Sequence, residues 1–339
     1  MSKMILLFLG ANGNIAPHRG AQLKHLIHRR QVLLAGSLLG IAPAIQAQSD
    51  APLRMLVGFA PGGGTDSVAR LMAPKLSALL KQNIIVDNRS GAGGNIATEA
   101  LFKAAGDENT FMLGTIGSLA VNQHLINMAF NPLTDIEMLG MAVTFSNILV
   151  VPANSPIHSL NQYLRVAKEP STTMAFGTSG IGSAGHLAGE LLKHVAKLNY
   201  QHVPYRGGAP AMADLLAGVL PSIFSTPSDA LTYVQAKKIR ALATTGLARM
   251  EALPDVPTVA ESGFTDFEAL NWYAYAAPPK TRPEQVRRLN MAINEVLKDS
   301  AVIAQLAKWG MKAAPGTPDR KSTRLNSSHT DISRMPSSA

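Results

Sequence analysis

The sequence predicts an α/β protein built as two doubly wound lobes joined by a hinge. Three observations predict it. Short apolar runs alternate with amphipathic stretches through residues 50–318, the rhythm of strand–helix units rather than of an antiparallel meander. That body, roughly 270 residues long, suits two cores better than one. Glycine-rich loops recur where strands are expected to end, in both halves of the body, which is where open α/β sheets hold ligands.

In order, residues 54–59 (RMLVGF) read as a strand. A helix follows over 66–80, with Val68, Leu71, Met72, Lys75 and Leu79 near a 3.6-residue period. Next come a strand at 83–87, a glycine turn and helix at 91–105, and strands at 110–115 and 147–152. A second series begins after Pro152: strand 173–177, helix 186–198, strand 200–204, helix 209–218, strand 222–225, helix 228–236 and strand 239–245. A further strand at 271–276 (NWYAYA) precedes helices at 283–297 and 302–309. The chain is expected to cross between lobes near Pro152 and return near Trp272. Lobe 1 is then 50–152 plus 272–318, and lobe 2 is 153–271. No aligned repeat relates the halves.

The chain has 339 residues, with 31 Lys+Arg against 22 Asp+Glu and a formal charge of +9, a balance that first points to nucleic acid or an anionic membrane. The distribution argues otherwise. Residues 1–47 carry Lys3, Arg19, Lys24, Arg29 and Arg30 with no acid, and 319–339 carry Arg320, Lys321, Arg324 and Arg334 against Asp319 and Asp331. The body between them is nearly neutral, so no nucleic-acid partner is expected. Cysteine is absent, which excludes disulfide frameworks, thiolate zinc sites and cysteine nucleophiles.

The two ends read as separate from the fold. His28-Arg29-Arg30, a short apolar run from Val32 to Ala42 and the small-residue stretch ending at Ala47 have the order of a secretory signal. Cleavage is expected after Ala47, with residues 1–24 as an upstream extension; the paired arginines leave Sec and Tat export both open. At the other end, DRKSTRLNSSH and SRMPSSA back-translate into two consecutive pieces of what looks like a sequencing-library adapter. Residues 319–339 are therefore expected to be a non-native, adapter-like tail.

The most informative loop is Phe59-Ala60-Pro61-Gly62-Gly63-Gly64-Thr65-Asp66, set between a strand and a helix. Its glycines allow a tight turn that points amide N–H groups at a crevice, and the helix N-terminus adds partial positive charge. It is neither a P-loop, since no Lys-Ser/Thr follows, nor a dinucleotide fingerprint, since Ser67 stands in place of the third glycine. A plain strand-to-helix turn capped by Thr65 or Asp66 is the alternative. Similar loops occur at 91–94, 114–118, 177–183 and 205–208.

RMLVGFAPGGGTD, VDNRSGAGGNIATE, FGTSGIGSAGHLAGELL, QHVPYRGGAPAMADLLAG, IRALATTGLARMEALPDVPTVAESG and NWYAYAAPPKTRPEQVRRLN, in this order, resemble the Bug (Bordetella uptake gene) or TctC-type family of periplasmic solute receptors over nearly all of 50–318. The resemblance implies a type II periplasmic-binding-protein clamp. It implies a small organic carboxylate as ligand, delivery to the membrane permease subunits of a tripartite tricarboxylate transporter, and a monomer without cofactor or metal. It also implies that Ala60, Pro61, Gly62, Gly63, Gly64, Thr65 and Asp66 hold a ligand carboxylate, with Gly117, Ser118, Thr178, Ser179, Gly182, Ser183 and Tyr205 facing the same cleft. The family chain runs on past Gly316-Thr317-Pro318 into a final helix, where this sequence has its adapter-like tail. Gln123 follows Asn122 where Asn-Pro is usual, and Ser225-Thr226 replaces a segment that often carries an acid and Asn, with Asp229 as a partial substitute.

Enzymatic readings fit the residues less well. His186 lies near Ser179 and Ser183, but neither serine sits in a Gly-x-Ser-x-Gly elbow, and His202 reads as structural. No His-Glu-x-x-His pair is present. Arg206 could clamp a carboxylate or be a solvated loop cation. A carboxylate sensor docking on a membrane partner and a hydrolase of small esters or amides stay as alternatives to the transport receptor.

Overall fold

The computed structural model describes residues 51–169, 171 and 174–318. The signal-like segment at 1–47 and the adapter-like tail at 319–339 lie outside the described residues. In chain order the elements are β1 (Leu53–Val57), α1 (Gly64–Leu80), β2 (Ile84–Asn88), α2 (Asn95–Lys103), β3 (Thr110–Thr115), α3 (Pro132–Asp135), β4 (Glu137–Ser146), β5 (Ile148–Pro152), α4 (Leu160–Lys168) and β6 (Met174–Thr178). There follow α5 (Ala184–Ala196), β7 (Tyr200–Pro204), α6 (Gly208–Leu216), β8 (Ile223–Ser225), α7 (Pro227–Gln235), β9 (Ile239–Thr244), β10 (Leu270–Ala277), α8 (Pro283–Lys298), α9 (Ser300–Lys308) and β11 (Lys312–Ala313).

Two sheets organise these elements. The first runs β11-β4-β10-β3-β1-β2 and the second β7-β6-β8-β5-β9. Each has parallel strands on one side and an antiparallel strand that has entered from the other lobe: β10 in the first, between β3 and β4, and β5 in the second, between β8 and β9. The short β11 adds a further antiparallel strand at the edge of the first. The two lobes thus share one strand order without sharing a sequence pattern. Strand 147–152, expected to close the first series, lies in the second sheet as β5, so the crossover falls at Asn147 rather than near Pro152. The return passes through 245–269 into β10.

The inner strands β3, β5, β8 and β10 are buried on both faces, which explains their continuous rather than alternating apolar runs. In the first lobe, α1, α8 and α9 cover one face through Val68, Leu76, Leu289, Ile293 and Leu306. α2 covers the other through Ala97 and Leu101 against Leu56, Met112 and Trp272. Ala184 and Leu187 of α5 join that second cluster, so a second-lobe helix packs on the first lobe. Trp272 and Tyr273, side by side on β10, are both core, and Tyr273 also lines the cleft. At the hinge the two crossing segments are bonded together. Asn147 N–H donates to Thr245 Oγ1 at 2.9 Å, Thr245 N–H donates to the Asn147 carbonyl at 3.0 Å, and Thr245 Oγ1 donates to the Ala269 carbonyl at 2.7 Å.

Candidate functional site

The carboxyl ends of β1, β3, β6 and β8 face one another across the cleft, and two adjoining hollows lie between them. Phe59, Gly63, Gly64, Thr65 and Thr115 line them from the first lobe, and Thr178, Ser179, Ser183, Gly208, Thr226 and Asp229 from the second. Asn147, Asn271 and Tyr273 close the hinge end. Asp229 and Tyr273 are the titratable residues in this lining, which holds no lysine or arginine among the described residues.

Four helices begin at the hollows. α1 starts at Gly64 behind Gly63 and α6 at Gly208 behind Gly207, neither with a side-chain cap. α7 starts at Pro227 behind Thr226, also without a side-chain cap. α5 starts at Ala184, with Ser183 Oγ accepting from His186 N–H at 3.3 Å. First-turn amides of a helix lack intrahelical partners and carry the positive end of the dipole. Convergence of several such ends makes a seat for an anion without a cationic side chain.

The loop at 60–66 is braced from behind. Asp66 turns its carboxylate into its own loop, accepting from Gly62 N–H at 2.9 Å, Arg70 Nε at 2.9 Å and Asn88 Nδ2 at 2.9 Å. Burial raises the Asp66 carboxyl, but these bonds outweigh it and hold the pKa below its ordinary value. Pro61 and Gly62 are exposed at the rim. Ala60 N–H crosses to the second lobe and donates to the Arg206 carbonyl at 3.0 Å. Along the other rim Gly93, at φ +61°, lies so close to the Ile181 carbonyl that no Cβ fits, a position only glycine serves. Gly117 abuts the Gly182 carbonyl in the same way, and Gly182 abuts Asn122. The lobes therefore touch on both sides of the hollows.

The structure brings Gly63, Gly64, Thr65, Thr178, Ser179 and Ser183 together in the lining and places the other expected residues around it. Ala60, Pro61 and Gly62 form the rim, Asp66 braces the loop, and Gly117 and Gly182 make the contact between lobes. Ser118 is fully buried, its Oγ accepting from Thr115 N–H at 3.1 Å. Tyr205 departs from expectation: its hydroxyl donates to Asp214 Oδ2 at 2.6 Å, on α6 and away from the hollow. Burial, with that bond, pushes its pKa up to about 12. Arg206 has its side chain exposed.

The rings of His186 and His202 touch at a tilt of 35°, with centroids 4.1 Å apart. His186 Nδ1 accepts from Gly182 N–H at 3.1 Å, and His202 Nε2 lies 2.6 Å from Thr178 Oγ1. Burial is the main force lowering both pKa values, to about 4 and about 3, so both rings are neutral struts for the 178–183 loop. Asn147 and Asn271 were missed in the sequence, Tyr273 reads there as packing a hinge strand rather than touching a ligand, and Thr226 and Asp229 were noted only as departures from a pattern. The signal for Asp229 was an acid in the first turn of a helix that starts at a strand end; Asn147 and Asn271 carried none. A wider groove lies elsewhere, between Phe145, Leu247, Met250, Ala307 and Met311, away from the strand ends and helix starts.

Comparison with known proteins places this geometry among relatives. The family model described as tripartite tricarboxylate transporter family receptor matches residues 68–337. A UPF0065 protein from the tcbD-tcbE intergenic region of Pseudomonas sp. (strain P51) is 35% identical over 299 residues, 86% of this chain and 89% of that protein. Protein BugT of Bordetella pertussis (strain Tohama I) is 34% identical over 285 residues, covering 83% of this chain and 87% of BugT. Among solved structures, an R. palustris protein with adipate superposes with a TM-score of 0.78 at 31% identity, covering 83% of this chain and 94% of that one. MatC from Rhodopseudomonas palustris with bound malate gives a TM-score of 0.78 at 26% identity, covering 83% and 96%.

Proposed function

Because the chain belongs to the tripartite tricarboxylate transporter receptor family, we propose that it is a periplasmic receptor that closes on a small organic carboxylate and delivers it to the membrane permease subunits of such a transporter. One observation carries this reading: four helix N-termini, three without a side-chain cap, meet at the one of the two hollows that is lined by Gly64, Ala184, Gly208 and Thr226. The carboxylate takes the positive end of α1, whose start at Gly63, Gly64 and Thr65 leaves room for it, with the hydroxyls of Ser179 and Ser183 opposite and Thr178, bonded to His202, holding their loop from behind. Ala60, Pro61, Gly62 and Asp66 shape the loop, Gly117, Ser118 and Gly182 set how closely the lobes approach, and Tyr205 steadies α6. Relatives that hold malate and adipate in the same fold support a carboxylate ligand.

The receptor binds without chemistry. A ligand bridging the lobes contacts both only when they are closed, so it favours the closed state by the difference in contacts. Export with cleavage after Ala47 and action as a monomer complete the proposal. Thermal denaturation of residues 48–318 with mono-, di- and tricarboxylates tests it, because a ligand at 100-fold excess over its Kd stabilises by about 2.7 kcal/mol. At least one carboxylate should raise the midpoint by several degrees and be recovered unchanged; no shift with any of them, or turnover of small esters or amides, would overturn it.

A further inference from the structure

At the hinge end of the hollows lie polar groups that nothing in the fold satisfies. Asn147 is 1% exposed and neither its Oδ1 nor its Nδ2 has a hydrogen-bond partner; Asn271 is 4% exposed and its Oδ1 has none. Both side chains line the hollows. An unpaired buried polar atom costs about 1–3 kcal/mol, so two such residues at one spot mark a place where a bound group completes the bonding. Asp229 shares the lining. Its carboxyl group is enclosed between the starts of α1 and α6: Gly64 N–H and the Thr226 side chain bond to it, and it packs directly on Gly208.

We propose that Asn147, Asp229 and Asn271 form a second subsite that takes a hydrogen-bond-donating group, hydroxyl or ammonium, carried on the skeleton of the carboxylate ligand. The inference rests on the receptor reading above and deepens it. The acceptors there, namely Asn147 Oδ1, Asn271 Oδ1 and the remaining lone pairs of the Asp229 carboxyl, outnumber the one unpaired donor of the two asparagines, Asn147 Nδ2. With no lysine or arginine in the lining among the described residues, an ionised Asp229 opposes a second carboxylate and favours a donor. Burial pushes the Asp229 pKa up to about 7. Tyr273 is the other titratable group facing it, and burial raises its pKa further above its ordinary value, so it stays neutral. An ammonium ligand therefore favours ionised Asp229 and binds more tightly from pH 6 to pH 8; a hydroxyl ligand needs no such ionisation.

Calorimetry with two matched trios, propionate, lactate and alanine, and succinate, malate and aspartate, tests this on wild type and Asp229→Asn. In at least one trio a substituted member should bind about tenfold or more tightly than its parent acid, the scale of one charge-assisted hydrogen bond. Asp229→Asn should erase that preference, read as the ratio of substituted to parent affinity within each trio. A rise with pH identifies ammonium as the donor and a flat profile identifies hydroxyl. Equal binding within both trios, or a preference that survives in Asp229→Asn, would overturn the subsite and leave the receptor reading intact. Absence of binding by every carboxylate would remove both.

Discussion

Gly64 shows how closely the lobes meet. A Cβ added there would lie 2.5 Å from Ser228 Oγ, 2.7 Å from Thr226 Oγ1 and 3.1 Å from the Tyr273 hydroxyl. Alanine suits a helix start, so Gly64→Ala should leave α1 intact while wedging α7 away from the first lobe. Overpacking of this kind costs about 1–3 kcal/mol. The expected result is a roughly five- to 150-fold loss of carboxylate affinity, read by calorimetry, with the far-ultraviolet dichroism unchanged; unaltered affinity would move the ligand away from this contact. Asp66 acts on the same loop from behind. Asp66→Ala removes the acceptor for Gly62 N–H, Arg70 and Asn88, and should cost about 1–3 kcal/mol of stability in urea unfolding besides weakening ligand binding.

The strut of α5 and β7 makes the second lobe sensitive to acid. His186 and His202 titrate near 4 and 3 in the folded chain and near 6.5 when unfolded. Between those values the unfolded chain binds more protons, so their contribution is complete above about 6.5 and is lost as pH falls towards 4. Asp229 works in the opposite sense. Raised to about 7 from 3.8, it contributes most below 3.8, and that contribution is lost as pH rises through 7. Two histidines outweigh one aspartate between pH 4 and 6.5, so the melting temperature should fall from pH 6.5 to pH 4.5, and Asp229→Asn should steepen that fall. A melting temperature that is flat over this range in both proteins would show that the rings are not held neutral.

Elements were legible in the sequence where local pattern decides them. β3 and β7 fall at 110–115 and 200–204 as read, and α1 begins only two residues earlier than expected. β4, EMLGMAVTFS, was missed because a central strand buried on both faces shows no alternation. α4 was missed although Ser159 caps it, accepting from Gln162 N–H at 3.3 Å. The glycine loops were legible because amide cradles need glycine. Asn147 and Asn271 were not, since each matters only because two crossovers separated by more than a hundred residues meet beside Asp229. Tyr205 was placed in the cleft by the family resemblance, whereas Asp214, nearly two turns along α6, decides where its hydroxyl points.

At the scale of the molecule, two sheets of one strand order are joined through Asn147, Thr245 and Ala269, so bending concentrates at a small bonded crossing beside the hollows. Ligand at saturation should therefore lower the radius of gyration in solution scattering. With a near-neutral body and no cationic side chain in the lining among the described residues, the proposed site would hold its anion by oriented amides rather than by net charge. Affinity should then change less than about threefold between 50 and 500 mM salt, since buried short-range contacts are weakly screened. Calorimetric titration of the wild type and Gly63→Val with the carboxylate that binds best tests the central claim most directly. A Cβ at Gly63 has ordinary clearance, 3.5 Å from the Ala60 carbonyl and 3.6 Å from Gly208 N, so the valine branches would fill the gap between lobes without unfolding the loop. The account predicts measurable one-site binding by the wild type and none by Gly63→Val at equal stability; undiminished binding by the variant would contradict it.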